Sequence, residues 1–400
     1  MKVKKSFQLK MGKKKIFNKK TFNNEDIACL SLVLYYAWQT GNLFVQKCID
    51  GGRMLIGAAY LLLVAGTGMA LLSVARKRAA YGFLAELTVL FLYAISYVLG
   101  YANTSVLGYY FFWTFMICVP IGLSVLCMND WDRLLSLLYR MAKPMTGILC
   151  GIIFLRFIVL RTNISKYDQS LSYAVIFWCI ILCNAVIQKI KLADLFFLLM
   201  GLGFNFLWGS RGTYLCFALF LLLKTVLDVD TKRRKVLIFS GITLLLVVVA
   251  IFLFADMSKM NSDEMVNFRN LYLIMNGDLF RSDSRVALYI YYAGLVLQKP
   301  FLGWGVTGGW IDSGLGPHNF FLEVLLSFGI MIGMAIFVIG FYLIVGIMKN
   351  SKKSERTLFI IYFSNTISLI VSGSFLQNLS FYICLFLIVS HIGRRRRLRC

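Results

Sequence analysis

Charge is scarce in this sequence, and acidic charge most of all. Asp, Glu, Lys and Arg make up 15% of the 400 residues, with 18 acidic against 42 basic; soluble domains carry about 25%. At 59% hydrophobic residues, such a chain has too little polar side chain to clothe a surface facing water, which excludes a string of soluble domains. Histidine is nearly missing, with two in the chain. The ten cysteines stand singly, most of them inside apolar runs (Cys118, Cys127, Cys150, Cys179, Cys183, Cys216, Cys384), with no CxxC and no Cys/His cluster. That excludes a disulfide framework and gives no support to a metal centre. The cysteines read as small apolar fillers.

What is present is a succession of apolar stretches of roughly 17–25 residues, the length that crosses about 30 Å of hydrocarbon as helix. They predict an all-α, polytopic transmembrane helical bundle of about twelve spans: 27–46, 54–75, 82–99, 109–128, 144–160, 171–188, 193–208, 212–227, 236–255, 319–347, 357–372 and 376–392. The 319–347 stretch is long enough to tilt or break. The expected organisation is a basic cytoplasmic tail (1–26), helices one to nine (27–255), an extracytoplasmic loop holding a short helix (256–318), helices ten to twelve (319–392) and a second basic tail (393–400).

The formal net charge of +24 is not a nucleic-acid footprint, because the basic residues lie in the tails and in every second connection: Arg76-Lys77-Arg78, Arg133 to Lys143, Lys189 and Lys191, Lys232 to Lys235, and Lys349 to Arg356. Cytoplasmic loops carry such an excess. Both termini are therefore expected in the cytoplasm. The N-terminal tail precedes a long span without a small-residue cleavage site, so it reads as an uncleaved anchor.

The informative residues are charges that hydrocarbon should reject. An Arg at mid-bilayer costs on the order of 2.5–3.5 kcal/mol, so its persistence points to an anion or a partner. Arg156 sits inside the run 147–160, Arg161 at the end of the same span, Arg211 between two apolar stretches, and Arg285 at the start of the expected loop helix. Embedded carboxylates to pair with them are few, Glu86 and Glu323 among them. The set suggests a phosphate or diphosphate, which guanidinium grips in bidentate fashion; a single Arg can instead snorkel to headgroups or hold backbone carbonyls.

His318 stands in Gly314-Leu315-Gly316-Pro317-His318-Asn319-Phe320, where the long loop re-enters the membrane and a helix begins. Imidazole there suits proton transfer near neutral pH, and a structural cap is the other reading of the position. His391 borders the terminal Arg run and reads as interfacial decoration. The loop helix is predicted from Arg285 to Gln298, stopped by Lys299-Pro300, with Tyr289, Tyr292 and Val296 on the face of Arg285. Such rings can bury the face of a sugar or simply pack. The following Gly303-Trp304-Gly305-Val306-Thr307-Gly308 satisfies GxGxxG but follows no expected strand, so it marks close backbone approach rather than a dinucleotide.

With these residues in view the chain resembles the membrane superfamily of Wzy-type O-antigen and capsule polymerases and O-antigen ligases. The likeness covers most of the chain as a hydropathy profile and rests on three elements: Gly209-Ser210-Arg211-Gly212 at the start of a span; Asp283-Ser284-Arg285 with its helix and Pro300-Phe301-Leu302-Gly303-Trp304-Gly305; and Pro317-His318-Asn319-Phe320-Phe321-Leu322-Glu323 followed by Gly329. The resemblance implies a glycosyltransferase that uses an undecaprenyl-diphosphate-linked oligosaccharide at the outer leaflet, with no cofactor, metal or nucleotide donor. It implies Arg211, Arg285 and His318 as catalytic residues, the arginines on the diphosphate and the histidine on the acceptor hydroxyl. Arg161, Arg156, Tyr289, Tyr292, Asn319 and Glu323 are the expected substrate contacts. A flippase and a chain-length regulator are the expected partners. A polymerase joining repeat units is the leading expectation, and a ligase of the same fold its rival. A transporter should show inverted repeats, and no convincing internal repeat is found.

Overall fold

The computed structural model describes residues 23–49, 53–99, 104–159, 169–228, 283–310 and 316–397. Most of the two tails, the expected span 236–255, the expected loop before Asp283, and Arg161 lie outside them.

Every regular element among the described residues is helical. In chain order these are α1 (Asn24–Cys48), α2 (Arg53–Val98), and α3 (Thr104–Phe111), which continues through a π-helical stretch (Phe112–Cys118) into α4 (Val119–Ser124). Then come α5 (Trp131–Phe154) with a π-helical end (Leu155–Val159), α6 (Gln169–Gln188), α7 (Leu192–Trp208), α8 (Arg211–Leu227) and α9 (Asp283–Gln298). The last are α10 (Phe320–Asn350), α11 (Lys353–Thr366), the single turn α12 (Ser368–Val371) and α13 (Leu379–Arg397). Among the described residues five helices are long and apolar enough to cross a membrane, and four shorter apolar ones accompany them. Helix α6, apolar nearly all round, is the buried centre, with Val175 to Ala185 wholly enclosed. Helix α10 is its opposite: Met331, Val338, Phe341 and Tyr342 are 65–76% exposed, a surface suited to lipid.

Two helices are not straight. Arg78 breaks α2 with a non-helical backbone (φ −142°, ψ 34°), and a Cβ on Gly82 would meet Val74 at 2.6 Å. Eight residues of continuous helix rise about 12 Å, so the chain doubles back at Arg76-Lys77-Arg78 and α2 falls into two arms packed side by side. In α10 the break falls at Gly329 (φ 77°), and a Cβ on Gly333 would meet Leu325 at 2.8 Å. A short arm, 320–328, thus turns sharply into a long one, 330–350.

Two expectations need correction. Arg133 to Lys143 is not a loop: α5 begins at Trp131, capped by Asp130, whose carboxylate accepts the Asp132 and Arg133 N–H groups at 3.1 and 3.2 Å. Leu134, Leu135, Leu138, Met141 and Ala142 bury one face of this first half, and helical spacing sends the charges to the other. His391 is not interfacial decoration either: it is buried, with Nδ1 3.4 Å from the Glu355 carboxylate.

Contacts define two ends of the bundle. At one, Ser73 donates to the Asn24 carbonyl (3.3 Å), Lys77 to the Cys127 carbonyl (2.7 Å), and Arg133 bonds Asp26. Arg356 reaches Asp228 at 2.7 Å, and Arg394 bonds Glu355 while lying over the Trp131 ring. This is the basic end, and its carboxylates are spent on neighbouring helices. At the opposite end Tyr109 donates to Gln377 (3.3 Å), Ser372 to Tyr173 (3.2 Å) and the Val306 N–H to Ser96 (2.7 Å).

Candidate active site

The break in α10 frees backbone groups that an apolar interior would leave unmet, at several kcal/mol each. The glycine turn after α9 meets them. The N–H groups of Trp304 and Gly305 donate to the carbonyls of Leu326 (2.7 Å) and Ser327 (3.0 Å), and the Ile330 N–H donates to the Pro300 carbonyl (2.6 Å). Gly303 (φ 68°) is obligatory in this fit, because a Cβ there would stand 2.5 Å from the Gly329 nitrogen. The GxGxxG pattern is therefore a clamp for a broken helix. Trp304 pins the clamp to α9 by donating from Nε1 to the Leu295 carbonyl at 2.8 Å.

Helix α10 starts at the end opposite the basic one. Asn319 is its cap, accepting the Phe321 and Leu322 N–H groups at 3.0 and 3.2 Å and donating from Nδ2 to the Ile370 carbonyl of α12 at 3.2 Å. His318, half-buried, precedes it with φ 49°, a left-handed backbone costing a side-chain-bearing residue on the order of 1–3 kcal/mol and found most often at functional sites. One turn on, Glu323 is 1% exposed. It accepts the Ser374 hydroxyl, and the Phe375 N–H at 3.3 Å. Asn319 and Glu323 thus fasten the arm to α12 and to the chain that leads from it to α13.

That chain is one wall of a cavity of about 630 Å³ bounded also by α1, α5 and α6. Its lining is rich in hydroxyls and amides (Gln39, Ser368, Ser372, Ser374, Gln377, Asn378), with the rings of Tyr35, Tyr36 and Tyr173. Lys47 and Arg156 bring positive charge, and the described lining residues include no carboxylate. Such a lining can hydrogen-bond a saccharide and hold an anion. A π-helical stretch ends α5 at Arg156, and another, Phe112–Cys118, props the far side of the 374–377 turn: Thr114 donates to the Leu376 carbonyl at 2.7 Å. Such bulges gather at functional sites.

The sequence-predicted residues fall into three groups. Arg156 lines the cavity, and Asn319 and Glu323 bond its wall. Arg211 opens α8 as expected, and its neighbour Gly212 packs against Tyr173 and Val371 beside the cavity; Arg285 lies in the first turn of α9, and the side chains of both are outside the description. Tyr292 is wholly buried with Val296, Trp310 and Leu326, so packing is the role its position gives it, while Tyr289 is half-buried. Lys47, Gln39, Tyr173 and the serines of 368–380 escaped the sequence reading. Their signal was polar side chains recurring at one end of otherwise apolar spans, where hydrocarbon tolerates them only with partners or a ligand.

Residues 195–338 match the family model of the O-antigen ligases (Wzy_C). The match supports the O-antigen ligase and polymerase superfamily, and with it a membrane enzyme of glycan processing. The matched segment runs from α7 into the long arm of α10 and contains Arg211, Arg285, His318, Asn319, Glu323 and the glycine clamp. Arg156 and the cavity walls from α1, α5, α6, α12 and α13 lie outside it. No curated protein matches the chain.

Proposed function

We propose that the protein is a polymerase that joins undecaprenyl-diphosphate-linked oligosaccharide repeat units into O-antigen or capsular polysaccharide at the outer face of the bacterial inner membrane. The observation that carries this reading is the polar, cationic cavity at the end opposite the basic one, walled by the chain that Asn319 and Glu323 tie to the His318 arm. The positive-inside rule makes the basic end cytoplasmic, so the cavity opens outward. Arg211 and Arg285 hold the diphosphate, with Arg156 and Arg161 as further contacts. His318 takes the proton of the acceptor hydroxyl as its oxygen bonds to the anomeric carbon of the donor; the bond from that carbon to the diphosphate oxygen breaks, and the lipid diphosphate leaves with its charge held by guanidinium. A flippase supplying the donor and a regulator of chain length fit this scheme as partners.

The family description also supports a ligase that transfers finished glycan to another acceptor. The glycan of a deletion strain separates the two: single repeat units mark a polymerase, and unattached long chains a ligase. His318→Ala and Arg285→Ala, expressed at wild-type abundance, should reproduce the deletion; normal chain-length ladders from both would refute the site.

A further inference from the structure

A second cavity, of about 460 Å³, has the opposite chemistry. It lies among α2, α4 and α13, and no charged residue is among its described lining residues. The hydroxyls of its threonines are committed, Thr88 to the Leu84 carbonyl at 2.7 Å and Thr114 to that of Leu376. It is also long. On α2 its lining runs from Tyr81 to Tyr93, roughly 18 Å at 1.5 Å per residue, from near the basic turn up to the glycine clamp, where Val306 closes it.

The two cavities share a wall one strand of chain thick. Ser374 faces the polar cavity, while the next two residues, Phe375 and Leu376, face the apolar one. Glu323 grips this partition at the Ser374 hydroxyl and the Phe375 N–H. A polar, cationic chamber beside a long apolar slot is complementary to a lipid with an anionic sugar-bearing head and a linear tail. We infer that the slot between α2, α4 and α13 receives the head-proximal isoprene units of the polyprenyl carrier while the head occupies the polar cavity. The inference rests on the transfer reading proposed above. The slot thereby sets the depth of the diphosphate, with α2 as a ruler.

The test uses the full chain in phospholipid nanodiscs and a polyprenyl diphosphate carrying a diazirine on an isoprene unit near the head. Photolabel is expected on peptides spanning 81–93 and 375–389, removed by unlabelled undecaprenyl diphosphate. Ala85→Trp, which fills the slot, should lower that labelling about tenfold, the effect of losing ~1.4 kcal/mol of binding; Leu90→Trp, at a position 48% exposed, should not. The comparison of wild-type labels stands even if a variant misfolds. Equal labelling of the same peptides by a diazirine phospholipid, or label concentrated elsewhere, would overturn the inference. A labelled slot in a protein whose deletion leaves the glycan normal would sink the transferase reading alone, and an unlabelled slot with transfer intact would sink the slot alone.

Discussion

At His318 the chain holds a side chain where glycine would be more comfortable. A φ of 49° costs a residue with a Cβ on the order of 1–3 kcal/mol, and such strain persists where function requires the side chain. His318→Gly should therefore raise folding stability by about 1 kcal/mol, read as an upward shift of the melting transition in detergent, while abolishing long polymer. A melting point that falls would show that the imidazole's own contacts, and not the strain, dominate at this position. That a helix begins beside His318 was legible from Asn319 and the apolar run behind it. The strain was not, because nothing in the letters Pro317-His318-Asn319 specifies a positive φ. Tyr292 shows the reverse limit: spacing placed it correctly on the face of Val296, but whether that face meets a sugar or a core depends on what packs over it, and Trp310 and Leu326 do.

At the scale of elements, hydropathy located the helices because solvent sets their length, and it erred where a helix leaves the hydrocarbon. The first half of α5 carries charges at helical spacing, which a hydropathy window scores as loop. The break in α10 was legible only as excess length; its site follows from a pairing between Gly303 and Gly329, 26 residues apart. This pairing is testable by a double-mutant cycle. Gly329→Ala would put a Cβ 2.4 Å from the Phe301 carbonyl oxygen, and Gly303→Ala one 2.6 Å from that of Leu326. Each should cost on the order of 3 kcal/mol. Because both open the same clamp, the double variant should fall short of the sum by at least about 1 kcal/mol. Gly340→Ala, with nothing within 4 Å, should be neutral or stabilising. Additive losses would mean that the clamp and the break are independent.

Between α8 and α11, Asp228 accepts Lys224, the Thr357 hydroxyl (3.0 Å) and Arg356 (2.7 Å). Burial alone would push its carboxyl up, but Lys224 and Arg356 together outweigh burial and hold it below the usual 3.8. A depressed carboxylate contributes stability that is fully present above its unfolded value and is lost as pH falls through its folded one. The contribution of Asp228 to the melting temperature should thus stay constant between pH 7 and 5 and be lost below the ordinary Asp range. Asp228→Asn should lower stability at neutral pH and remove that part of the acid-induced decline; an acid limb identical to wild type would assign it to other groups.

Across the whole molecule, charge is sorted by end. The basic turn of α2, Arg133, Arg356 and Arg394 gather at one end, where carboxylates tie the last three to neighbouring helices and the Cys127 carbonyl holds Lys77, whereas the cations of the polar cavity, Lys47 and Arg156, sit at the other. Two cationic surfaces of one sign can thus serve different purposes: the first fixes orientation during insertion, the second attracts an anion. This sorting also makes the proposed sidedness falsifiable without any glycan assay. Of the described cysteines all but Cys48 are buried, so a background carrying Cys48→Ser and Cys400→Ser should be silent to a membrane-impermeant thiol reagent. On that background Gln377→Cys, in the cavity wall, should react in intact cells, and Lys352→Cys, exposed beside Glu355, only after permeabilisation. The reverse pattern would turn the cavity to the cytoplasm, where an outer-leaflet lipid-linked donor cannot reach it, and the proposed transfer would fail with it.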